Sequence, residues 1–542
     1  MSRWRWTSRL AALVLLCSAA GGCSTLPSQG PRTPSHAIQA VGDGPLGRLV
    51  EARRNPASAR SHSGFQLLAS VEGAFTSRLA LIESAQRSLD LQYYAVHADP
   101  STEVLLQSLR RAARKGVRVR ILLDDFNTVG DDAQVLRLAF EPGVEIRLFN
   151  PLAGARGSLA ARVLGSWYDL ERIQRRMHNK LFLADNAWGI AGGRNLGGAY
   201  FGAGEKSNFV DLDVLAAGPI VQGMSASFDR YWNHPLAYPV QALLSRDDLE
   251  RLHQGVDELP PAASLPEPDR GMVLPGVTAA DVASVGQRPM DLQRVPLTWA
   301  PALLLADQPG KIDPGDDEVD AGETVIAGLL DLMQQAAREV LIVSPYFVPG
   351  EPMMQVFSQL RARQVRVRVL TNSLASNDAP AAHAGYRRYR EALIAMGVEL
   401  HEMRAEPRAA GEGKRGSGRA WLGSGIGGSA SGTSTASLHS KVVIIDRRLS
   451  AIGSMNLDLR SQHLNSEVAL LIRNTVLATD VTRLVEGTLA TVAYRVELDG
   501  HQLRWRAPPD TSFVDTTSEP DVSAMRKLLV ELLAPFAPDK ML

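Results

Sequence analysis

The pattern of apolar and polar positions along this chain repeats: strand-like and helix-like segments follow one another in the same order in two parts of the sequence. Short runs of apolar and β-branched residues predict buried strands, and a segment of helical period after the first strand of each series predicts a helix. The order strand, helix, strand, helix, strand predicts a duplicated α/β fold with largely parallel central strands. The predicted strands are 88–94, 117–123 and 143–149 with a helix at 103–115, then 340–347, 365–370 and 397–402 with a helix at 354–362.

Pro, Gly and polar residues divide the chain around these two repeats. They predict a flexible tether with little to bury at 23–62 and a connector with little regular structure at 236–318. Residues 405–436 are rich in Gly and Ser, which predicts either a disordered insertion or a mobile loop. The predicted organisation is a leader (1–22), the tether (23–62), repeat 1 (63–235), the connector (236–318), repeat 2 (319–497) and a C-terminal tail (498–542).

Composition narrows the possible functions. Lys and Arg together number 58, as do Asp and Glu, so the formal net charge is zero. A dedicated nucleic-acid binder usually carries a basic excess, so nucleic acid is not the expected partner, although a local basic groove stays possible. The only cysteines are Cys17 and Cys23. The rest of the chain therefore has no disulfide framework and no thiolate metal site.

The N-terminus has the pattern of a secretory leader. Three arginines in the first nine residues precede an apolar run of 11 residues at 10–20, which is too short to span a bilayer comfortably. Small residues before Cys23 resemble a bacterial lipoprotein processing site, although Ala20 replaces the more usual Leu. Lipidated Cys23 would anchor the protein at the periplasmic side of the inner or outer membrane. An ordinary cleaved signal and an uncleaved anchor are the alternatives.

Two stretches 261 residues apart share five identities in the same register. Such a match arises by chance about once in 10⁶ positions, so two copies indicate a duplicated site. The second copy has Ser454 where the first has Gly193. The shared residues are His178, Lys180, Asp185, Gly192 and Asn195 in the first stretch and His439, Lys441, Asp446, Gly453 and Asn456 in the second.

These residue types fit the cleavage of a phosphodiester. One histidine can attack phosphorus while the other, protonated, gives its proton to the leaving alkoxide, and the residues alone leave the two roles interchangeable. Cations and hydrogen-bond donors stabilise the charge on the phosphoryl oxygens in the transition state. The candidates for that task are Lys180, Lys441, Asn195, Ser454 and Asn456.

Carboxylates in each repeat have separate expected tasks. Glu467 and its counterpart Asp211 are predicted to accept a hydrogen bond from a histidine and orient its ring, with Asp213 the less favoured choice. Asp185 and Asp446 could be metal ligands, but capping of a local turn is the favoured interpretation. Because a lysine ammonium is not a ligand, the motif predicts neither a metal nor another cofactor.

The two motifs resemble the HKD motifs of the phospholipase D superfamily, and the resemblance covers about residues 64–495. It implies that Asp185 and Asp446 are catalytic residues together with the motif histidines and lysines. Within that superfamily the chain is most similar to bacterial cardiolipin synthases of the type without a pair of N-terminal transmembrane helices. The resemblance implies two α/β repeats packed about a pseudo-twofold axis, with the active site at their interface. The segments that carry it are 176–180, 192–195, 371–378, 386–390 and 453–460.

The resemblance also implies a reaction. A phospholipid would donate its phosphatidyl group to His178, with His439 as acid and base, and phosphatidylglycerol would accept it to form cardiolipin. Phospholipids and a membrane surface are the implied partners. The donor can be phosphatidylglycerol or phosphatidylethanolamine, and the need for an accessory protein is open. The insertion at 405–436 departs from the family pattern, and its loop interpretation has Trp421 and Leu422 touching lipid.

Two other functions are compatible with the motifs. Water as the acceptor would make the protein a phospholipase D-type hydrolase, or, less favoured, a nuclease. The third function is a catalytically silent lipid-binding lipoprotein, which the two complete motifs disfavour.

Overall fold

The computed structural model describes most of both repeats. It describes residues 32–39, 41–153, 169–202, 208–244, 288–313, 324–404 and 436–533, and also Leu26, Leu159, Arg162, Val163 and Ser166. The predicted leader, Cys23 and the insertion at 405–435, with Trp421 and Leu422, lie outside the described residues.

The first half forms a nine-stranded sheet in the order β10-β1-β8-β6-β5-β2-β3-β4-β9. Its strands and the separate β7 are β1 (Ser63–Leu68), β2 (Ser88–Tyr93), β3 (Arg118–Asp124), β4 (Val144–Phe149), β5 (Leu181–Ala184), β6 (Trp188–Gly192), β7 (Asn208–Val210), β8 (Asp213–Ala217), β9 (Ala237–Pro239) and β10 (Thr298–Ala300).

The second half forms another nine-stranded sheet, in the order β11-β18-β17-β16-β12-β13-β14-β19-β20. Eight strands of each sheet correspond in order and in direction, so the predicted duplication extends to all of each sheet except β10 and β20. The strands are β11 (Ala302–Ala306), β12 (Glu339–Val343), β13 (Arg366–Asn372), β14 (Glu399–Met403), β15 (Ala436–Leu438), β16 (Val442–Ile445), β17 (Leu449–Gly453), β18 (Val468–Arg473), β19 (Ala493–Asp499) and β20 (Gln502–Arg506).

Helices cover the sheets, and several begin at a side-chain cap. Asp99 accepts from the amide of Thr102, and Asn474 accepts from the amide of Leu477. The helices are α1 (Pro45–Arg53), α2 (Val71–Ser84), α3 (Pro100–Arg114), α4 (Leu170–Gln174), α5 (Pro219–Trp232), α6 (Val240–Leu243), α7 (Val325–Gln334), α8 (Gly350–Ala362), α9 (Pro380–Arg387), α10 (Arg390–Ala395), α11 (Leu459–His463), α12 (Thr475–Thr491) and α13 (Ala524–Leu533).

The prediction of largely parallel central strands was only partly correct. The three strands predicted in each repeat are parallel to one another, β2 with β3 and β4, and β12 with β13 and β14. The strands that follow each motif pair antiparallel instead, because β5 and β6, like β16 and β17, are joined by a tight turn rather than by a helical crossover. Each sheet is therefore mixed.

Alternation along the strands sorts the apolar side chains into separate cores. Leu181 and Leu183 lie in the core shared by the two halves, whereas Phe182 between them lies in the outer core of the first half. In the second half Leu341 joins the shared core and Ile342 the outer one. The shared core therefore holds the two sheets together and brings the two motifs to one interface.

Three segments contain more ordered structure than the sequence predicts. In the predicted tether, α1 buries Leu46 and Val50. In the predicted connector, β10 extends the first sheet and β11 extends the second. In the predicted tail, β20 closes the edge of the second sheet. Each segment gains order from the sheets on which it packs, a contribution that its local composition does not show.

Candidate active site

Each motif histidine is positioned by a backbone hydrogen bond to the other half. The amide of His178, just before β5, donates to the carbonyl of Ser466 at 3.0 Å. The amide of His439, just before β16, donates to the carbonyl of Val210 at 2.9 Å. The strand before His439 also pairs with β7 in a two-stranded parallel ribbon. The two motifs therefore meet because each is tied to the opposite repeat.

The two predicted carboxylates also cross between the halves. Nδ1 of His178 lies 3.0 Å from each carboxylate oxygen of Glu467, and Nδ1 of His439 lies 2.6 Å from Oδ2 of Asp211. An Nδ1–H that donates to a carboxylate leaves the lone pair of the neutral ring on Nε2. The less favoured Asp213 instead pairs with Arg78 at 2.9 Å.

The two carboxylates are supported unequally. Glu467 accepts from the hydroxyls of Ser454 at 2.5 Å and Ser461 at 2.9 Å, and its amide donates to Asp307 at 2.9 Å. Asp211 accepts at 2.8 Å from the amide of the following residue, Leu212. The carboxylate partner of His178 is thus held by two hydroxyl donors, whereas the carboxylate partner of His439 is held by a backbone amide.

Gly193 accounts for part of this difference. It occupies the position that corresponds to Ser454, and a Cβ atom there would lie 2.4 Å from Oδ1 of Asp211. Non-bonded atoms do not approach so closely, so the first motif has no room for a side chain at this position. The first repeat therefore has no counterpart of the Ser454 hydroxyl, and Asp211 lacks the donor that Glu467 has.

Two of the predicted substrate-binding side chains are already hydrogen-bonded to other residues of the protein. The Ser454 hydroxyl is occupied by Glu467, so its predicted contact with substrate is replaced by a contact with that carboxylate. Asn195 accepts from the amide of Ala95 and donates to the Tyr200 hydroxyl, both of which hold it inside the first repeat. Asn456 differs, because its buried Oδ1 has no hydrogen-bond partner in the described parts of the chain.

The lysines lie inside the site with spare donors. Nζ of Lys180 donates to the carbonyl of His178 at 2.8 Å, and Nζ of Lys441 donates to the carbonyl of His439. A protonated ammonium carries three N–H groups, so each lysine has donors left for an anion after this bond. Both side chains are buried. This arrangement can hold a phosphoryl group between the two halves.

Burial controls the charge state of the free site. It lowers the pKa of His178 to about 4 against the opposing effect of Glu467, and together with Lys441 and Lys180 it keeps the pKa of His439 well below the ordinary value. Burial also lowers the pKa of Lys180 to about 7 and that of Lys441 to about 8. Both histidines are therefore neutral at neutral pH.

Burial acts in the same direction on both carboxylates, but their pKa values shift in opposite directions. Burial raises the pKa of Asp211 above its ordinary value, although Lys441 and Arg194 oppose that effect. Burial would also raise the pKa of Glu467, but His178, Lys180 and the Ser454 hydroxyl outweigh it and hold the value below the ordinary one. Glu467 is the more firmly ionised of the two, as its two hydroxyl donors lead one to expect.

Aromatic rings enclose the histidines. The ring of Tyr94 meets His178 edge-on with 5.1 Å between centroids, and Tyr200 meets His439 in the same way at 5.3 Å. Phe209 lies 5.1 Å from His439. These rings limit the access of water and leave the histidine side chains largely buried.

Asp185 and Asp446 lie at the turns after β5 and β16, away from the histidine nitrogens. Asp185 accepts from the amides of residues 86, 87 and 88, and Asp446 accepts from those of residues 337, 338 and 339. Both have positive φ, which aspartate tolerates better than most residues. The structure thus places them as caps of neighbouring backbone. The catalytic role that the resemblance implies for them stays a prediction.

Sequence reasoning missed several residues of the site. Ser461 reaches Glu467 because Asp458 caps α11 by accepting from the amide of Ser461 at 2.6 Å. Tyr94 follows the buried strand β2, and its place at the same sheet edge as the motif was a usable signal. Tyr200 and Asp307 gave no such signal, because their contacts depend on the fold of residues outside the motifs.

Among the described residues, no group of three or more His, Cys, Asp or Glu side chains is arranged to hold a metal ion. Every helix in the described ranges is too short or too polar to traverse a bilayer.

Comparison with known proteins assigns the family. The family model described as "Cardiolipin synthase, PLD-like domain" matches residues 79–232 and 329–488, once in each half. The chain therefore belongs to this phospholipase D-like family of enzymes, and its mixed α/β repeats are the two domains of that family.

Individual relatives agree with this assignment. The chain is 35% identical over 460 residues to cardiolipin synthase C of Escherichia coli (strain K12), covering 85% of this chain and 92% of the relative. It is 27% identical over 429 residues to cardiolipin synthase A of Pseudomonas entomophila (strain L48), covering 78% and 67%. A solved phosphatidylserine synthase of Haemophilus influenzae Rd KW20 aligns with a TM-score of 0.52 over 88% of this chain and 95% of that chain. At 13% identity it shows the fold alone.

Proposed function

We propose that this protein is a phosphatidyltransferase that makes cardiolipin from phosphatidylglycerol through a phosphohistidine intermediate. One observation carries the proposal: two histidines, each oriented by a carboxylate of the opposite half, meet beside two buried lysines. The similarity over most of the chain to a protein named cardiolipin synthase C supports the choice of lipid substrate.

In the first step Nε2 of His178 attacks phosphorus of the donor lipid. The N–P bond forms while the bond from phosphorus to the headgroup oxygen breaks, and that oxygen takes the proton of His439. Glu467, ionised and held by two hydroxyls, accepts from Nδ1 of His178 and stabilises the positive charge that develops on the ring. This support favours His178 as the nucleophile.

His439 must be protonated when the leaving group departs. Burial and two lysines keep it neutral in the free protein, and a bound phosphodiester adds the negative charge that offsets those lysines. Binding of the substrate therefore raises the proton affinity of His439, and Asp211 holds its Nδ1–H throughout. The nitrogen that receives and returns the proton is then Nε2.

The second step reverses the proton movement. His439 takes the proton from the free hydroxyl of phosphatidylglycerol, the hydroxyl oxygen attacks phosphorus, and the N–P bond to His178 breaks. Lys180 and Lys441 donate to the phosphoryl oxygens in both steps, and the side-chain NH₂ of Asn456 is the third donor of this mechanism. These groups suffice for the transfer, so the proposed mechanism uses no metal.

Transfer requires that the lipid hydroxyl reach the intermediate before water does. Tyr94, Tyr200 and Phe209 cover the faces of the two histidines and reduce the space for water around Nε2. This enclosure supports transfer over hydrolysis.

We also propose that Cys23 carries the lipid anchor of a bacterial lipoprotein, with the folded halves on the periplasmic side of a membrane. The apolar run at 10–20 and the small residues before Cys23 support this proposal. The mass of the mature N-terminal peptide tests it, because a diacylglyceryl group on Cys23 is expected and an unmodified cysteine would contradict it.

The transferase is tested with purified protein in vesicles of labelled phosphatidylglycerol, with and without phosphatidylethanolamine, and with lipids resolved by mass. Cardiolipin is expected with the unchanged protein and absent with His178→Ala. Phosphatidic acid as the sole product would show a hydrolase instead. No product in either lipid mixture would contradict the proposal for the protein acting alone.

A further inference from the structure

An exposed apolar stripe runs along helix α13 near the end of the described chain. Met525, Leu528 and Leu532 are 74%, 50% and 60% exposed, and their spacing puts them on one face of the helix. Val530 points the opposite way and is fully buried against Leu374. The helix is therefore held by its inner face and presents the stripe outward.

A single loop, residues 373–378, separates this helix from the strand that presents His439. The guanidinium of Arg526 on the helix donates to the carbonyl of Asn377 in that loop. The loop in turn accepts at the Ser376 carbonyl from the Ser437 hydroxyl of β15, at 2.8 Å. Because β15 ends one residue before His439, helix α13 lies close to the candidate active site.

Basic side chains lie near the stripe. Lys527 is half-buried on the helix itself, and Arg387 and Arg388 are exposed at the end of α9, on which α13 packs. Glu531 is the acidic residue of the helix. Cationic side chains beside apolar ones are attracted to a surface of anionic lipid headgroups, and the same cations would repel a second copy of this helix.

We propose that Met525, Leu528 and Leu532 insert into the surface of an anionic phospholipid bilayer and hold the candidate active site near it. The proposal rests on the proposed function in one respect only: the bilayer is then also the source of the substrate. Val210, whose carbonyl bonds to the amide of His439, adds a partly exposed apolar side chain beside the same site.

Insertion can be measured without any turnover. A nitroxide label is placed at Leu528→Cys in the full chain with Cys17→Ser and Cys23→Ser, and its collisions with oxygen and with a water-soluble nickel complex are compared. On vesicles of phosphatidylglycerol and phosphatidylethanolamine, the label should gain oxygen collisions and lose nickel collisions. Val476→Cys is the matched control, because Val476 is 61% exposed just beyond the end of β18 remote from Glu467.

The contribution of the stripe to activity is measured with the triple variant Met525→Ser, Leu528→Ser, Leu532→Ser in the same Cys17→Ser, Cys23→Ser background, which carries no lipid on residue 23. Its partition onto these vesicles should weaken at least about tenfold, because burial of even one such side chain contributes about that factor. Turnover on vesicles should fall in parallel, while turnover of detergent-dispersed lipid should stay within about twofold of the unchanged protein. Val476→Ser should alter neither quantity.

The outcomes separate the two proposals. A label at position 528 that stays in water on vesicles whose lipid is being converted would overturn the docking proposal and leave the function standing. A label already shielded without vesicles would also overturn it, because a protein contact would then cover the helix. Insertion at 528 without any lipid product would support docking and count against the proposed function.

Discussion

Nδ1 of His439 lies 2.6 Å from the carboxylate of Asp211, which precedes it by 228 residues. The reciprocal pair, His178 and Glu467, is separated by 289 residues. Each repeat thus supplies one histidine and the carboxylate for the other repeat's histidine. The site depends on the packing of the two halves. The proposed mechanism assigns its histidines different tasks because the two carboxylates are supported unequally.

Glu467→Gln tests the orientation of His178. The amide keeps the shape but donates where the carboxylate accepted, so it favours the ring tautomer with the proton on Nε2, which cannot attack. We expect kcat to fall about 10²–10⁴-fold with a small change in KM. Steady-state transfer in vesicles measures both constants. Glu486→Gln, which alters a carboxylate paired with Arg368 and Arg447, is the control and should keep its activity. Equal losses in the two variants would argue against a specific role for Glu467.

Gly193→Ala tests the close approach of the first motif to Asp211. The added Cβ would lie 2.4 Å from Oδ1 of that carboxylate, so Asp211 must move and His439 loses its partner. We expect a fall in kcat of about 10²-fold, the cost typical of a misplacement of about 1 Å in an active site. Gly223→Ala on helix α5 is the matched control, because a Cβ there meets nothing within 4 Å. Normal activity of Gly193→Ala would show that the Asp211 contact is dispensable.

The pH dependence of kcat/KM reports the ionisation of the site residues before substrate binds. In the proposed mechanism His178 attacks only when neutral, and burial lowers its pKa to about 4, so activity should be lost as the pH falls toward that value. In the same mechanism Lys180 and Lys441 bind the phosphate only when charged, and their pKa values are about 7 and 8. Activity should therefore also be lost as the pH rises into the mildly alkaline range, which gives the pH profile an acidic and an alkaline limb. A pH series with detergent-dispersed lipid measures both limbs.

Lys180→Arg distinguishes the contribution of that lysine to the alkaline limb. A guanidinium stays charged throughout this range, so the remaining loss should follow Lys441 and move toward higher pH. An alkaline limb that does not move would assign it to another group.

Much of the fold could be predicted from the sequence, because its local patterns report local structure. The strands around Leu89, Val119 and Val340 lie where alternation and β-branched residues placed them. Helix α1 and strands β10 and β11 were missed, since their order comes from sheets formed by distant residues.

The features of the site likewise separate into those that the sequence predicts and those that it does not. The two histidines and two lysines could be found from the repeated motif, and Asp211 and Glu467 from their place after it. The crossing of the carboxylates between the halves could not be predicted, because it depends on how the two sheets pack. The orientation of the Ser454 hydroxyl toward Glu467 likewise depends on the side-chain packing.

Asp185→Asn tests whether Asp185 contributes to the stability of the fold or to catalysis. Asn tolerates the positive φ of this position but loses the charge that accepts three backbone amides. We expect the free energy of unfolding to drop by about 1–3 kcal/mol, as measured by urea denaturation, with kcat of the folded fraction nearly unchanged. A large loss of kcat at full stability would indicate that Asp185 acts in catalysis.

The most direct test of the account is to locate the covalent intermediate. The protein is mixed with labelled phosphatidylglycerol in vesicles and quenched at short times under alkaline conditions, and its peptides are resolved by mass. The account predicts a phosphatidyl group on the peptide that contains His178, present before cardiolipin accumulates and absent from Glu467→Gln at the same time points. A phosphatidyl group on the peptide of His439, or cardiolipin formed at full rate by His178→Ala, would contradict it.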